Sequence, residues 1–137
     1  MSHRCVIVAA ATATITFVAC GSDRPAAKVI VFEMGERSFS PATLSIKQGS
    51  FVILRFHNGG SVHHEAIVGD ESFHVAHEEH THLGGDSLVN GVVVEPGNSG
   101  DVPYRFDQAG TIIVGCHEPG HWESGMKVLI TIVGARP

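Results

Sequence analysis

Gly115-Cys116-His117-Glu118-Pro119-Gly120-His121-Trp122-Glu123-Ser124-Gly125-Met126 is the most informative stretch of this 137-residue chain. It sets a thiol, an imidazole and a thioether at the spacing Cys-x4-His-x4-Met, and Pro119, Gly120 and Gly125 let the loop between two strands fold tightly. Soft sulfur favours reduced copper and imidazole tolerates both oxidation states, so the set suits a copper ion. A third strong ligand must come from elsewhere. Candidates lie in Asn58-Gly59-Gly60-Ser61-Val62-His63-His64-Glu65, ahead of an expected strand. Adjacent histidines on an extended chain point to opposite faces, so only one of them enters the site. His64 shares its face with Ala66 and Val68, His63 with Glu65 and Ile67. The less polar face belongs inside, which selects His64 and leaves His63 at the rim.

Outward from that loop the chain breaks into apolar runs of strand length separated by Gly, Pro, Asn and Asp. Strands are expected at 28–32, around Leu44 and Ile46, and at 51–56, 65–68, 92–94, 102–106, 111–116 and 126–133. Gln48-Gly49-Ser50 and Glu95-Pro96-Gly97-Asn98 supply turns. Seven or eight short strands in a domain of this size predict an all-β, two-sheet antiparallel sandwich. The segment 73–82, Phe-His-Val-Ala-His-Glu-Glu-His-Thr-His, reads as a His-rich insertion loop. His74, His77, His80 and His82 form a candidate weak second site for Cu(II) or Zn(II), with partners three residues apart meeting if the loop takes a helical turn.

Composition narrows the rest. Hydrophobic residues make up 43%, enough for one ordinary core. A net charge of -5 with nine Lys and Arg and no basic run excludes a nucleic-acid partner. Residues 1–19 read as a signal peptide, because the apolar run 6–18 is shorter than the roughly 18 to 20 residues of a spanning helix. Phe17-Val18-Ala19-Cys20 resembles the bacterial lipoprotein cleavage motif, with Phe17 where an aliphatic residue is usual. Lipid on Cys20 would attach the chain to a membrane, and ordinary cleavage would release it; either places the mature protein outside the cytoplasm. Residues 20–27 are then a linker and 28–134 the domain, in which Cys116 is the single cysteine. A lone thiol in an oxidising compartment is protected if a metal holds it.

The order His64, Cys116, His121, Met126, with the last three on one loop before the final strand, resembles the cupredoxins. The loop spacing is most similar to auracyanin-type and azurin-like bacterial proteins. The resemblance extends to Phe39-Ser40-Pro41, Leu44, Ile46 and Gly49, to Asn58, and to the Pro-Gly turn before Tyr104, and it spans Lys28 to Val133. It implies a Greek-key sandwich and one type 1 copper held by His64, Cys116 and His121 with Met126 as a weak axial ligand. It also implies electron transfer to a redox partner protein by a monomer that is not an enzyme. Copper buffering or delivery is the alternative, for which the His-rich segment speaks. Where the family often has Asn after the first His and Ser or Thr after Cys, hydrogen-bonded to each other, this chain has Glu65 and His117. A charge-assisted pair between them, with the His117 pKa raised, is the expected substitute.

Overall fold

The computed structural model describes residues 27–82 and 90–134, with the side chains of residues 79–82 left undescribed. The signal peptide and most of the linker fall outside that range. Among the described residues nine strands and one helix follow in the order β1 (Lys28–Gly35), β2 (Ser38–Ser40), β3 (Thr43–Lys47), β4 (Ser50–Asn58), β5 (His64–Gly69), α1 (Glu71–His82), β6 (Gly91–Val94), β7 (Ser99–Phe106), β8 (Gly110–Gly115) and β9 (Lys127–Val133). Eight of the strands lie where alternation or an apolar run places them. The ninth, β2, is three residues long and too short to show a period.

The strands form two sheets, ordered β2-β1-β4-β7 and β3-β9-β8-β5-β6. The expected sandwich is present, but its sheets are mixed rather than antiparallel. Strand β1 runs parallel to β4, pairing Lys28 with Val52 through Met34 with Asn58, and β3 runs parallel to β9. Parallel neighbours need a crossover between them, and periodicity within a strand carries no information about its neighbour's direction. Alternation fills the space between the sheets with Phe32, Met34, Val52, Leu54, Phe56 and Phe106 from one side and Ala66, Val68, Val114, Val128 and Ile130 from the other.

The His-rich segment is not a loop. It forms α1, capped by Asp70, whose Oδ1 accepts from the Phe73 amide at 2.8 Å and from the Ser72 hydroxyl at 2.7 Å. These bonds hold the Asp70 carboxyl below its usual pKa, the Ser72 hydroxyl being the larger cause. The helix lies against the outer face of β5 and β8, with the Phe73 ring packed on Gly69. Ile67, on the face of β5 that alternation turns away from the core, is therefore also fully buried.

Phe56 has no exposed surface, stacks on Phe32 at 5.3 Å between centroids and meets Phe39 edge-on at 6.0 Å. Phe56→Ala is expected to cost about 3–5 kcal/mol of unfolding free energy, read as a lower denaturant midpoint at unchanged slope. A loss below about 1 kcal/mol would mean that the sandwich collapses around the cavity.

Candidate metal centre

Two strand ends and one loop build the site. His64 opens β5, Cys116 follows the last residue of β8, and His121 lies in the turn between β8 and β9. Because β5 and β8 are hydrogen-bonded neighbours, pairing Ile67 with Gly115, the two strand ends arrive side by side. The loop is closed on itself. The Cys116 amide donates to the Met126 carbonyl at 3.2 Å, the Met126 amide to the His121 carbonyl at 3.0 Å, and the His121 amide to the Glu118 carbonyl at 2.8 Å. Gly120 and Gly125 turn it at φ of 78° and 88°, a region other residues enter at a cost.

On the other side, buried Asn58 fixes the approach to His64. Its Nδ2 donates to the carbonyls of Val62 and Val94, both at 2.8 Å, and its Oδ1 accepts from the Gly60 amide at 2.9 Å. The sequence marks Asn58 only through its family likeness. A buried amide with three partners explains why it stands there. Gly60 lies against His64 Nε2, which is buried without a hydrogen-bond partner among the described residues.

One donor atom from each of His64, Cys116 and His121 lies within 4.8 Å of the others, the one such group among the described residues. Cys116 Sγ is 3.9 Å from His64 Nδ1 and 3.4 Å from His121 Nδ1. An ion bonded at roughly 2.0 Å to nitrogen and 2.3 Å to sulfur spans about 3.7 Å between them at trigonal angles. The donors therefore fit one copper ion. His64 and Cys116 are fully buried and His121 is 8% exposed, so His121 is the donor nearest solvent. Met126 is fully buried, and its backbone bonds tie it to both Cys116 and His121.

His63 stays at the rim, exposed, its Nε2 2.9 Å from a Glu118 carboxylate oxygen. A cleft of about 460 Å³ opens there, lined by Val62, His63, Pro96, Glu118, Pro119 and His121.

The expected bond between Glu65 and His117 is absent. Both residues turn away from the donors as alternation requires, but α1 supplies their partners. His117 Nε2 lies 2.9 Å from His74 Nδ1, and Glu65 Oε2 lies 3.8 Å from His77 Nε2. His117 and His74 also stack on Trp122, at 4.5 and 4.7 Å between centroids. Burial, reinforced by His74, His77 and Lys127, pushes the His117 pKa down to about 4 instead of raising it. His74 is likewise lowered by burial. Of the four histidines assigned to a second site, the structure brings His74 and His77 to the sheet; His80 and His82 are helical, with side chains outside the described residues.

The sandwich with its buried His-Cys-His group has the cupredoxin fold. Auracyanin from Roseiflexus castenholzii superposes with a TM-score of 0.67 at 19% identity, covering 78% of this chain and 98% of that one. Auracyanin A, a "blue" copper protein of Chloroflexus aurantiacus, gives 0.59 at 22% identity, covering 77% and 99%. In sequence the chain is similar to the copper-resistant cuproprotein CopI of Rubrivivax gelatinosus, 33% identical over 97 residues, or 67% of this chain and 59% of that protein. CopI of Pseudomonas aeruginosa is 24% identical, with 78% of this chain and 77% of the relative covered. No family model matches the chain.

Burial pushes the Cys116 thiol up to about 11, against the smaller opposing effect of the Glu65 amide, which donates to Sγ at 3.4 Å. The thiol is therefore protonated at neutral pH, and a metal must displace that proton. Burial, aided by repulsion from His121, lowers the His64 pKa, so this ring has little proton to lose above neutrality. Copper uptake between about pH 7 and pH 9 is expected to release about one proton, with apparent affinity rising about tenfold per pH unit. Titration in weakly buffered solution checks this. Uptake without proton release would show that the thiol is already ionised.

Proposed function

We propose that the chain is an exported cupredoxin that holds one type 1 copper ion at His64, Cys116 and His121, with Met126 as a weak fourth ligand, and carries single electrons. A copper ion bound there supplies a one-electron couple between Cu(II) and Cu(I). The observation that carries the reading is the convergence of three buried donors on neighbouring strands and a loop closed by its own backbone bonds. Ligands held this way stay in place when the charge between them changes, which favours fast electron exchange. His121, alone of the three donors in lining the rim cleft, is the natural point of approach for a redox partner protein. The chain acts as a carrier rather than an enzyme, and as a monomer.

The amino-terminal reading places it outside the cytoplasm, with Cys20 as a lipid attachment point. Among the described residues no helix is long and apolar enough to cross a membrane.

Copper handling is the second reading. It is favoured by the copper-resistant CopI relatives and by the His63–Glu118 pair beside His121, where an ion could enter or leave. Copper-loaded protein, cycled by voltammetry and then mixed with a copper chelator, separates the two. Electron carriage predicts a reversible one-electron wave and slow copper loss. An irreversible wave with rapid surrender of copper would replace it with handling.

Two substitutions test the ligands. Cys116→Ser is expected to abolish coloured copper binding while the domain still folds, and His64→Ala to weaken copper binding far more than His63→Ala. A blue spectrum that survives Cys116→Ser would refute the assignment. Met126→Leu is expected to retain copper and raise the potential, since losing the thioether removes some stabilisation of the oxidised ion. An unchanged potential would remove Met126 from the ligand set.

A further inference from the structure

We propose a second transition-metal site, for Cu(II) or Zn(II), on the outer face of the β5–β8 sheet, built from His74 and His77 of α1, His117 of the ligand loop and Glu65 of β5. It stands whether the first centre carries electrons or hands copper on.

His74 is preset as a ligand. It is 1% exposed, and its Nε2 lies 3.1 Å from the Ile113 carbonyl, which can only accept. The Nε2 proton is thereby fixed, and neutral His74 presents its Nδ1 lone pair. Metal-binding histidines are commonly held in this way, by donating their other ring proton to a backbone carbonyl. That Nδ1 faces His117 Nε2 at 2.9 Å. Two nitrogens bound at roughly 2.0–2.1 Å to one ion at a right angle are separated by about the same distance.

His117 makes a purely structural reading of the pair incomplete. Its Nδ1 is buried with no hydrogen-bond partner among the described residues, so either tautomer leaves one ring nitrogen unserved. The remaining donors stand next to this pair. His77 is three residues along the helix from His74, hence on the same side. Its ring lies 5.0 Å from that of His117, and its Nε2 is 3.8 Å from Glu65 Oε2. The four donors form two adjacent pairs and do not yet meet at one point. A turn of the His77 ring, which is 10% exposed, is the adjustment an ion requires. Glu65 supplies the negative charge, and Trp122 covers the His74–His117 pair on one side.

The spacing from His74 to His82 suggests a site made by the helix alone. The described side chains instead bring two residues from the sheet beside His74 and His77, each next in sequence to a donor of the first centre.

Copper-loaded protein dialysed against Zn(II), with metal analysis, tests the proposal. One zinc per chain beyond the copper is expected. His74→Gln and His77→Gln should each weaken zinc binding about tenfold or more, while the double variant His80→Gln/His82→Gln leaves it unchanged. If His74→Gln loses its helix by circular dichroism, His77→Gln, at the more exposed of the two histidines, decides alone. Absence of zinc beyond the copper equivalent overturns the site. So does zinc that survives His77→Gln and is lost in the His80/His82 double variant.

Discussion

Alternation at two neighbouring strand ends governs the chemistry of this molecule. His64 and Cys116 turn inward while Glu65 and His117, next to them in sequence, turn outward. The inward pair meets His121 in the core. The outward pair would leave a carboxylate and an imidazole on the back of the sheet, beside the fully buried Ile67, and α1 covers that face. Each strand end thus serves two environments separated by the thickness of one backbone. The Glu65 amide, donating to Cys116 Sγ while its carboxylate faces His77, belongs to both.

What could be read from the sequence followed from the same rule. Alternation along 64–68 separates His64 from His63, and the structure buries the first and exposes the second. The spacing of Cys116, His121 and Met126 reveals a loop because Gly120 and Gly125 mark its turns. Sheet direction is a property of pairs of strands, and no single run reports it, so the parallel pairs β1–β4 and β3–β9 had no signature. The helical state of 71–82 was hidden differently. Among the described side chains its buried position is His74, flanked by half-buried Phe73 and His77, and imidazoles do not register as an apolar stripe, although Asp70 ahead of it is a legible cap.

That blind spot also explains the failed Glu65–His117 pair. The family pattern relates Glu65 and His117 only to each other. Once α1 is laid across the outer face, each finds a closer partner on the helix. Burial then reverses the sign of the effect on His117: a pair with carboxylate would have favoured its charged form, whereas three neighbouring cations or potential cations and loss of water favour the neutral one.

The same low-dielectric setting acts on the metal centre from inside. Cys116 contributes one negative charge when it binds, and neutral His64 and His121 contribute none. The donor set and a divalent copper therefore sum to one positive charge, and with monovalent copper to zero. An environment that holds the thiol proton up to about 11 disfavours isolated charge, so it favours the neutral, reduced combination. Burial of this donor set would thus favour a higher potential for a copper ion held there, before any contribution from Met126. Glu65 and Glu118 act in the opposite sense, but their carboxylates are engaged by His77 and His63 and turned from the donors. With those carboxylates so engaged, burial of the donors is the larger influence and would favour the reduced state of a copper ion held there.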